Sequence, residues 1–235
     1  MSSKTIRIAI IGAFVLAVGV RLFLLSRLHH EYFFAGIAVA DGELARHLAQ
    51  GEGFVVNETH MQAVAEDQKK KQKLIDIGDV PRPARESLTP YHHALPGYSV
   101  LLALSYWLTG KERYLDLQVF QAILDSIGVF LIYLLGTKVF SRNIGVLSAF
   151  FYALWVPQAR LSIAPLHDAP MAFLLLLSTI VYFEGERKDS LGLMALSSIL
   201  LGLTAYVRSD YIFLPVFFAL TACLKRAWAE GTDIV

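Results

Sequence analysis

Long apolar runs dominate the chain. They lie at 8–25, 95–108, 117–136, 144–157, 169–183, 191–207 and 211–224, separated by charged or turn-forming segments. Most approach the ~20 residues that a helix needs to cross a bilayer core, and the shorter ones must rely on tilt or packing. The pattern predicts an all-α integral membrane protein. Lys4 and Arg7 precede the first run, and Ala38-Val39-Ala40 has the form of a signal-cleavage site. The run is longer than a signal h-region and the small-residue triplet lies well past its end, so the segment reads as an uncleaved first span.

Positive charges set the number of crossings, because short cytoplasmic loops hold an excess of Lys and Arg. If 95–108 does not cross, Lys4 and Arg7, the Lys138/Arg142 turn, the Arg187/Lys188 turn and the Lys225/Arg226 tail share one side, and only Arg160 and Arg208 occupy short loops opposite. If it does cross, every later turn changes sides and the rule fails. The expectation is therefore one membrane module over 1–235 with six transmembrane helices, at 6–28, 117–137, 143–159, 169–184, 190–207 and 211–225. Both termini are then cytoplasmic, and a large first extracytoplasmic loop at 29–116 carries juxtamembrane helices. Within it, 95–108 becomes an interfacial or re-entrant helix, entered through the bend at Pro96-Gly97, with Tyr98, Tyr106 and Trp107 suited to the headgroup layer. The loop is too long for its cations to weigh in the rule, and its KKKQK run at 69–73 reads as solvated surface.

Composition agrees: 55% of residues are hydrophobic, 17% are charged, and mean hydropathy is +0.51. A net charge of +1 gives no reason to expect a nucleic-acid partner. The single cysteine, Cys223, can form neither an internal disulfide nor a metal site. No Walker loop, dinucleotide fingerprint, H-E-x-x-H or nucleophile elbow is present, so nothing points to a nucleotide-driven enzyme.

With six spans the outer face collects Asp41, Glu43, His92, His93, His167, Asp168, Arg208 and Asp210, whereas the inner turns hold short charged linkers such as EGERKDS. Chemistry is therefore expected outside. Asp41, Gly42 and Glu43 open a helix-like stretch, DGELARHLAQGEGF, where Asp41 would equally suit an N-cap. Asp168, in PLHDAP, also sits where a cap belongs. Asp125 lies inside the second span, where an ionisable group is costly; it is expected to line a groove or to bond Gln121 or Ser126.

The succession DGELARHLAQGEGF, LPGYSVLLALSYWLTG, QAILDSIGVFLIYLLGTKVFSRNIGVLSAFFYAL, PLHDAP and GLTAYVRSDYIFLP resembles the N-terminal module of the GT-C glycosyltransferases, within which it is most similar to the protein mannosyltransferase and aminoarabinose transferase type. The resemblance covers nearly the whole chain. It implies transfer of a sugar from a polyprenyl-phosphate donor to a glycan, lipid or protein acceptor on the extracytoplasmic face. It also implies a multi-pass protein, for which the short loops suit a prokaryotic plasma membrane.

By the same resemblance Asp41 and Glu43 fit a D-x-E motif, with Asp41 the candidate general base and Asp168 a further acid of the site. The chemical reason is that an acceptor hydroxyl is a poor nucleophile until a positioned carboxylate takes its proton, and desolvation raises that carboxylate's basicity. A lipid phosphate calls for cations, and Arg208 beside Asp210, with Arg21 near the outer end of the first span, are the candidates because a guanidinium fork holds two oxygens. Their alternatives are an Arg208–Asp210 pair and an Arg21 that snorkels to the headgroups. His92 and His93 precede the PGY turn where the aminoarabinose branch has functional residues, although that branch's lysine is not matched. No organic cofactor is implied, and use of a divalent cation stays open. A competing reading is a non-catalytic membrane subunit, or a truncated module, that binds a lipid-linked sugar. Relatives are generally longer, so the chain reads as a minimal module, as one half of an enzyme completed by a second membrane subunit, or as an inactive frame. A transporter would be expected to carry an internal repeat, and none is seen.

Overall fold

The computed structural model describes residues 2–83, 87–92 and 96–220. Helix α1 (Ser3–Leu28) starts at a Ser2 N-cap, whose Oγ accepts from the Thr5 amide at 3.2 Å. Its buried positions, Ile6, Ile10, Ala13, Ala17, Arg21 and Leu25, recur every three or four residues, while Ile8, Ile11, Val15 and Phe23 lie open on the other faces. A helix apolar on its packed and open faces alike is built for lipid.

A cap unit follows. Helix α2 (Ala35–Ala49) leads to a short strand β1 (Val55–Asn57), helix α3 (Glu58–Lys71), strand β2 (Leu88–Pro90) and helix α4 (Gly97–Thr109). The strands pair antiparallel, Val56 opposite Thr89. Asn57 caps α3, accepting from the His60 amide at 3.0 Å, and the Lys69–Lys71 end of α3 is exposed as expected. The cap has its own core, in which Ala35, Ala38 and Val39 of α2 meet Val64 of α3 and Tyr98, Leu102 and Tyr106 of α4. Tyr114 and Leu117, at the start of the next helix, join that core and seat the cap on the bundle.

The bundle centres on α5 (Tyr114–Val139), which packs against α1, α6 (Arg142–Leu154), α7 (Val156–Ile163) and α8 (Asp168–Arg187); α9 (Leu191–Val207) pairs with α8. Helices α1, α5 and α8 are each long and apolar enough to cross a membrane. The expected third span is instead broken: α6 and α7 qualify only as a pair, bent by 56°. Pro157 explains the break, because it lacks an amide hydrogen and is pre-set to begin a helix rather than continue one. Helix α9 is a shorter apolar helix of 17 residues. Of the expected span at 211–225, only 211–220 falls among the described residues. Residues 95–108 correspond largely to α4, whose Val100, Leu104, Trp107 and Leu108 are exposed while Tyr98, Leu102 and Tyr106 face the cap core.

The ends of α1 and α9, the starts of α5 and α8, and the end of α7 all gather beneath the cap. At the far end Lys138 meets Glu184 at 2.5 Å, and Arg187 and Lys188 share the same carboxylate.

Candidate active site

Asp41 stands in the interior of α2, not at its start, because the helix already begins at Ala35 in the apolar AGIAVA run. This corrects the N-cap expectation. Asp41 projects toward α4 and accepts from the Ser99 hydroxyl at 2.6 Å through Oδ1. Burial raises its pKa above the ordinary aspartate value, with the Ser99 hydrogen bond and the charge of His167 pulling the other way. Tyr91, in the loop before α4, is close enough to feel that charge: burial, then Asp41, raises its phenol pKa.

Two glycines let these elements approach. A Cβ on Gly42 would lie 2.2 Å from the Tyr114 hydroxyl, which donates to the Ala38 carbonyl at 2.9 Å and so pins α2 to α5. A Cβ on Gly97 would lie 2.6 Å from the Tyr206 carbonyl, so only glycine lets the start of α4 touch the end of α9.

That contact brings α9's last residues to the same place. Arg208 donates through Nη1 to Asp168 at 2.5 Å and through Nε to Asp210 at 2.9 Å. Asp168 is the first residue of α8, and His167 before it meets the Tyr98 ring edge-on, centroids 6.2 Å apart. Gln121 of α5 holds this turn by donating to the Leu166 carbonyl at 2.5 Å. Asp168, Arg208 and Asp210 thus form one ion-paired cluster, and Asp41 lies on the other side of the Tyr98–His167 contact, close enough to feel His167.

Other expected residues lie elsewhere. Glu43, two positions beyond Asp41, leaves α2 on the opposite side, since two residues turn a helix by about 200°. It is fully buried between Arg46 Nη2 at 2.5 Å, His47 Nε2 at 3.1 Å and His60 Nδ1 at 2.7 Å. His47 also meets Glu52. The D-x-E spacing therefore does not put both acids in one site.

Arg21 is corrected too. Rather than standing at the rim for a lipid phosphate or snorkelling to the headgroups, it is fully buried, with Nε on Asp125 Oδ2 at 2.6 Å and its guanidinium over the Tyr152 ring at 5.5 Å. Asp125 bonds neither Gln121 nor Ser126; its other oxygen accepts from Tyr152 at 2.6 Å and Gln158 at 2.9 Å. Arg21 Nη1 also donates to the Ala153 carbonyl at 3.3 Å, the group that a continuous helix would have paired with the amide that Pro157 lacks. His92 is exposed, and His93 lies outside the described residues. Among the described residues no group of three or more His, Cys, Asp or Glu side chains is arranged to hold a metal ion.

Sequence reasoning missed Ser99 and the Glu43 network. The signal for the first was a small hydroxyl beside Gly97-Tyr98 on the buried face of an apolar helix; for the second it was an i, i+3, i+4 set, Glu43, Arg46 and His47, on one helical face.

The network makes a pH prediction. Both ring nitrogens of His60 face acceptors, Glu43 at 2.7 Å and the Val80 carbonyl at 3.1 Å, which only the imidazolium can satisfy. The Glu43 bond is the leading cause that raises His60 above its usual 6.5. Burial pushes the Glu43 carboxyl up, but bonds from His60 and Arg46 outweigh it and hold the pKa at about 2 against an ordinary 4.5. His60 stabilises the cap fully below 6.5 and loses that contribution as pH rises through its raised folded value; Glu43 contributes above 4.5 and loses its share as pH falls toward about 2. Thermal melts should show the cap firmest between those limits, and His60→Gln should flatten the alkaline side. Melting temperatures independent of pH from neutrality upward would refute the assignment.

A model of the dolichyl-phosphate-mannose-protein mannosyltransferase family matches residues 92–232, more than half of the chain. The match takes in Ser99, Asp125, Asp168, Arg208 and Asp210 and begins after Asp41 and Glu43. No curated protein and no solved structure matches the chain significantly. With its membrane-length helices and the family match over the stretch that holds Asp168 and Arg208, the chain belongs to the dolichyl-phosphate-mannose-protein mannosyltransferase family.

Proposed function

We propose that this protein transfers a sugar from a polyprenyl-phosphate donor to an acceptor hydroxyl at the cap side of a membrane, with Asp41 as the general base. The observation that carries the reading is that Asp41 and the Asp168–Arg208 pair flank the same Tyr98–His167 contact beneath the cap. Arg208 supplies the cation for the donor phosphate, and reaches it by exchanging one of its two carboxylate partners for phosphate oxygens. Asp168 holds Arg208 in place until then. Asp41 keeps Oδ2 for the acceptor hydroxyl while Ser99 occupies Oδ1, and its raised pKa makes it a stronger base than an ordinary aspartate.

The cap side is extracytoplasmic in this reading. Lys138, Arg187 and Lys188 meet at the opposite end of the bundle, where the positive-inside rule puts the cytoplasm. With α6–α7 taken as one broken crossing, α9 as a short one and the apolar sequence at 211–224 as the last, the module in this reading has six spans, both termini cytoplasmic and α4 in the headgroup layer of the plasma membrane. The acceptor is a glycan, lipid or protein hydroxyl.

The test is release or transfer of radiolabelled mannose from polyprenyl-phosphate mannose by the purified protein in lipid nanodiscs. Turnover above a lipid-only control is expected. Donor binding without turnover, under conditions in which acceptor extract is supplied, would favour a non-catalytic subunit.

A further inference from the structure

Which oxygen of the Asp41 carboxylate is available, and how it is aimed, depends on a residue that no motif singled out. Ser99 is fully buried on the inner face of α4, between Tyr98 and the apolar residues of the cap core. Its hydroxyl has one partner across the helix interface, Asp41 Oδ1 at 2.6 Å, a length typical of a hydroxyl donating to a charged oxygen. A buried hydroxyl on an apolar face costs stability unless it is bonded, so its presence needs a partner, and the partner is the carboxylate at the site. The approach of α4 that permits this bond is itself built in, through Gly97 against Tyr206 and through Tyr98 against His167.

We infer that Ser99 is the positioning residue of the base: it ties down Oδ1 of Asp41, fixes the carboxylate's rotation and leaves Oδ2 as the single proton acceptor. The inference rests on the reading of Asp41 as the base, but the geometry of the pair stands without it. Ser99 touches no reacting atom; it acts through Asp41. In transfer, the acceptor oxygen forms its bond to the sugar's anomeric carbon as that carbon's bond to the phosphate oxygen breaks. The hydroxyl proton passes to Oδ2, and the electron pair of the broken bond leaves on the polyprenyl phosphate.

The bond also stabilises the ionised carboxylate, opposing the burial that raises Asp41's pKa. The charged and titratable groups that face Asp41 are His167 from the turn before α8, Tyr91 from the loop before α4, Tyr98 of α4 and Tyr114 of α5. Of these, His167 alone acts with Ser99 to lower the Asp41 pKa, so loss of Ser99 leaves the carboxylate with less to offset its burial.

The experiment is an infrared titration of the full-length protein in nanodiscs, following the carbonyl stretch of protonated Asp41, identified as the band that vanishes in Asp41→Asn. In Ser99→Ala the midpoint is expected to move up by about one pH unit, as befits loss of a hydrogen bond to a charged group. In Ser99→Thr, which keeps the hydroxyl, it is expected to stay with the parent. In the mannose assay the acidic limb of kcat/KM should move with the infrared midpoint, a shift that a merely structural role would not produce. An unmoved midpoint in Ser99→Ala, or equal shifts in the Ala and Thr variants, would overturn the inference. Should Asp41→Asn retain turnover while the infrared midpoints behave as described, the base reading fails and the positioning of the carboxylate survives.

Discussion

Asp41→Asn is expected to lower mannose turnover by roughly two to four orders of magnitude, the usual contribution of a positioned general base. The substitution suits the site because Asn is nearly isosteric with Asp. Its side-chain oxygen can still accept from Ser99, so the α2–α4 contact keeps its partner. What Asn cannot do is take a proton. Donor affinity, measured separately by equilibrium binding of labelled polyprenyl-phosphate mannose, should change little, because in the proposed function the phosphate goes to Arg208 rather than to Asp41. A variant that folds, binds donor and keeps turnover within about threefold of the parent would remove Asp41 from the chemistry. Glu43→Gln is the informative companion. Glu43 points away into the His60 network, so its loss should appear in the stability of the cap rather than in the proton-transfer step.

The second large effect is structural. Arg21→Leu is expected to destabilise the bundle by about 3–5 kcal/mol, because it leaves the Asp125 carboxylate buried among helices with no cation and strips the Ala153 carbonyl of its donor. Replacing both partners, Arg21→Leu with Asp125→Leu, should recover most of the loss, since two apolar groups of fitting volume no longer need each other. The two variants can be compared by denaturant-induced unfolding in mixed micelles. Equal losses in the single and double variants would mean that the pair's charges are not what matters, and that Arg21 acts through packing or through the Ala153 carbonyl.

Much of the architecture could be read from the chain alone. Helices α1, α5 and α8 announce themselves by length and apolarity, which lipid demands of any span. Recognition of the family from PLHDAP, GLTAYVRSDYIFLP and their neighbours agrees with the family match over 92–232. What failed was orientation. Pro157 was visible, yet its effect on a helix depends on whether something satisfies the carbonyl it orphans, and that something, Arg21, lies on a different span. Arg21 looked like a rim residue by its place near the end of α1; its partner Asp125 is 104 positions away, beyond the reach of any local pattern. The acids at 41 and 43 read as a pair because they are two apart, but once the helix is known to begin at Ala35 that spacing separates them. Ser99 carried no signal stronger than a hydroxyl among apolar residues, and the direction of one side chain is set by packing that a linear pattern does not encode.

The distance between Arg21 and Asp125 in the chain bears on how the protein enters its membrane. Synthesis delivers α1 first, so Arg21 arrives in lipid long before α5 exists to neutralise it. A lone arginine costs ~2.5–3.5 kcal/mol at the centre of a span on the scale that governs insertion, and less toward the end, where Arg21 stands. Helix α1, whose most apolar 18-residue window has a mean hydropathy of 2.6 with Arg21 included, is apolar enough to carry that passenger unaided. Helix α5 brings its own unneutralised acid and a lower value of 1.9, and finds in Arg21 a waiting counter-charge. The first span is thus apolar enough to insert alone, and the ion pair closes only once the second has followed it.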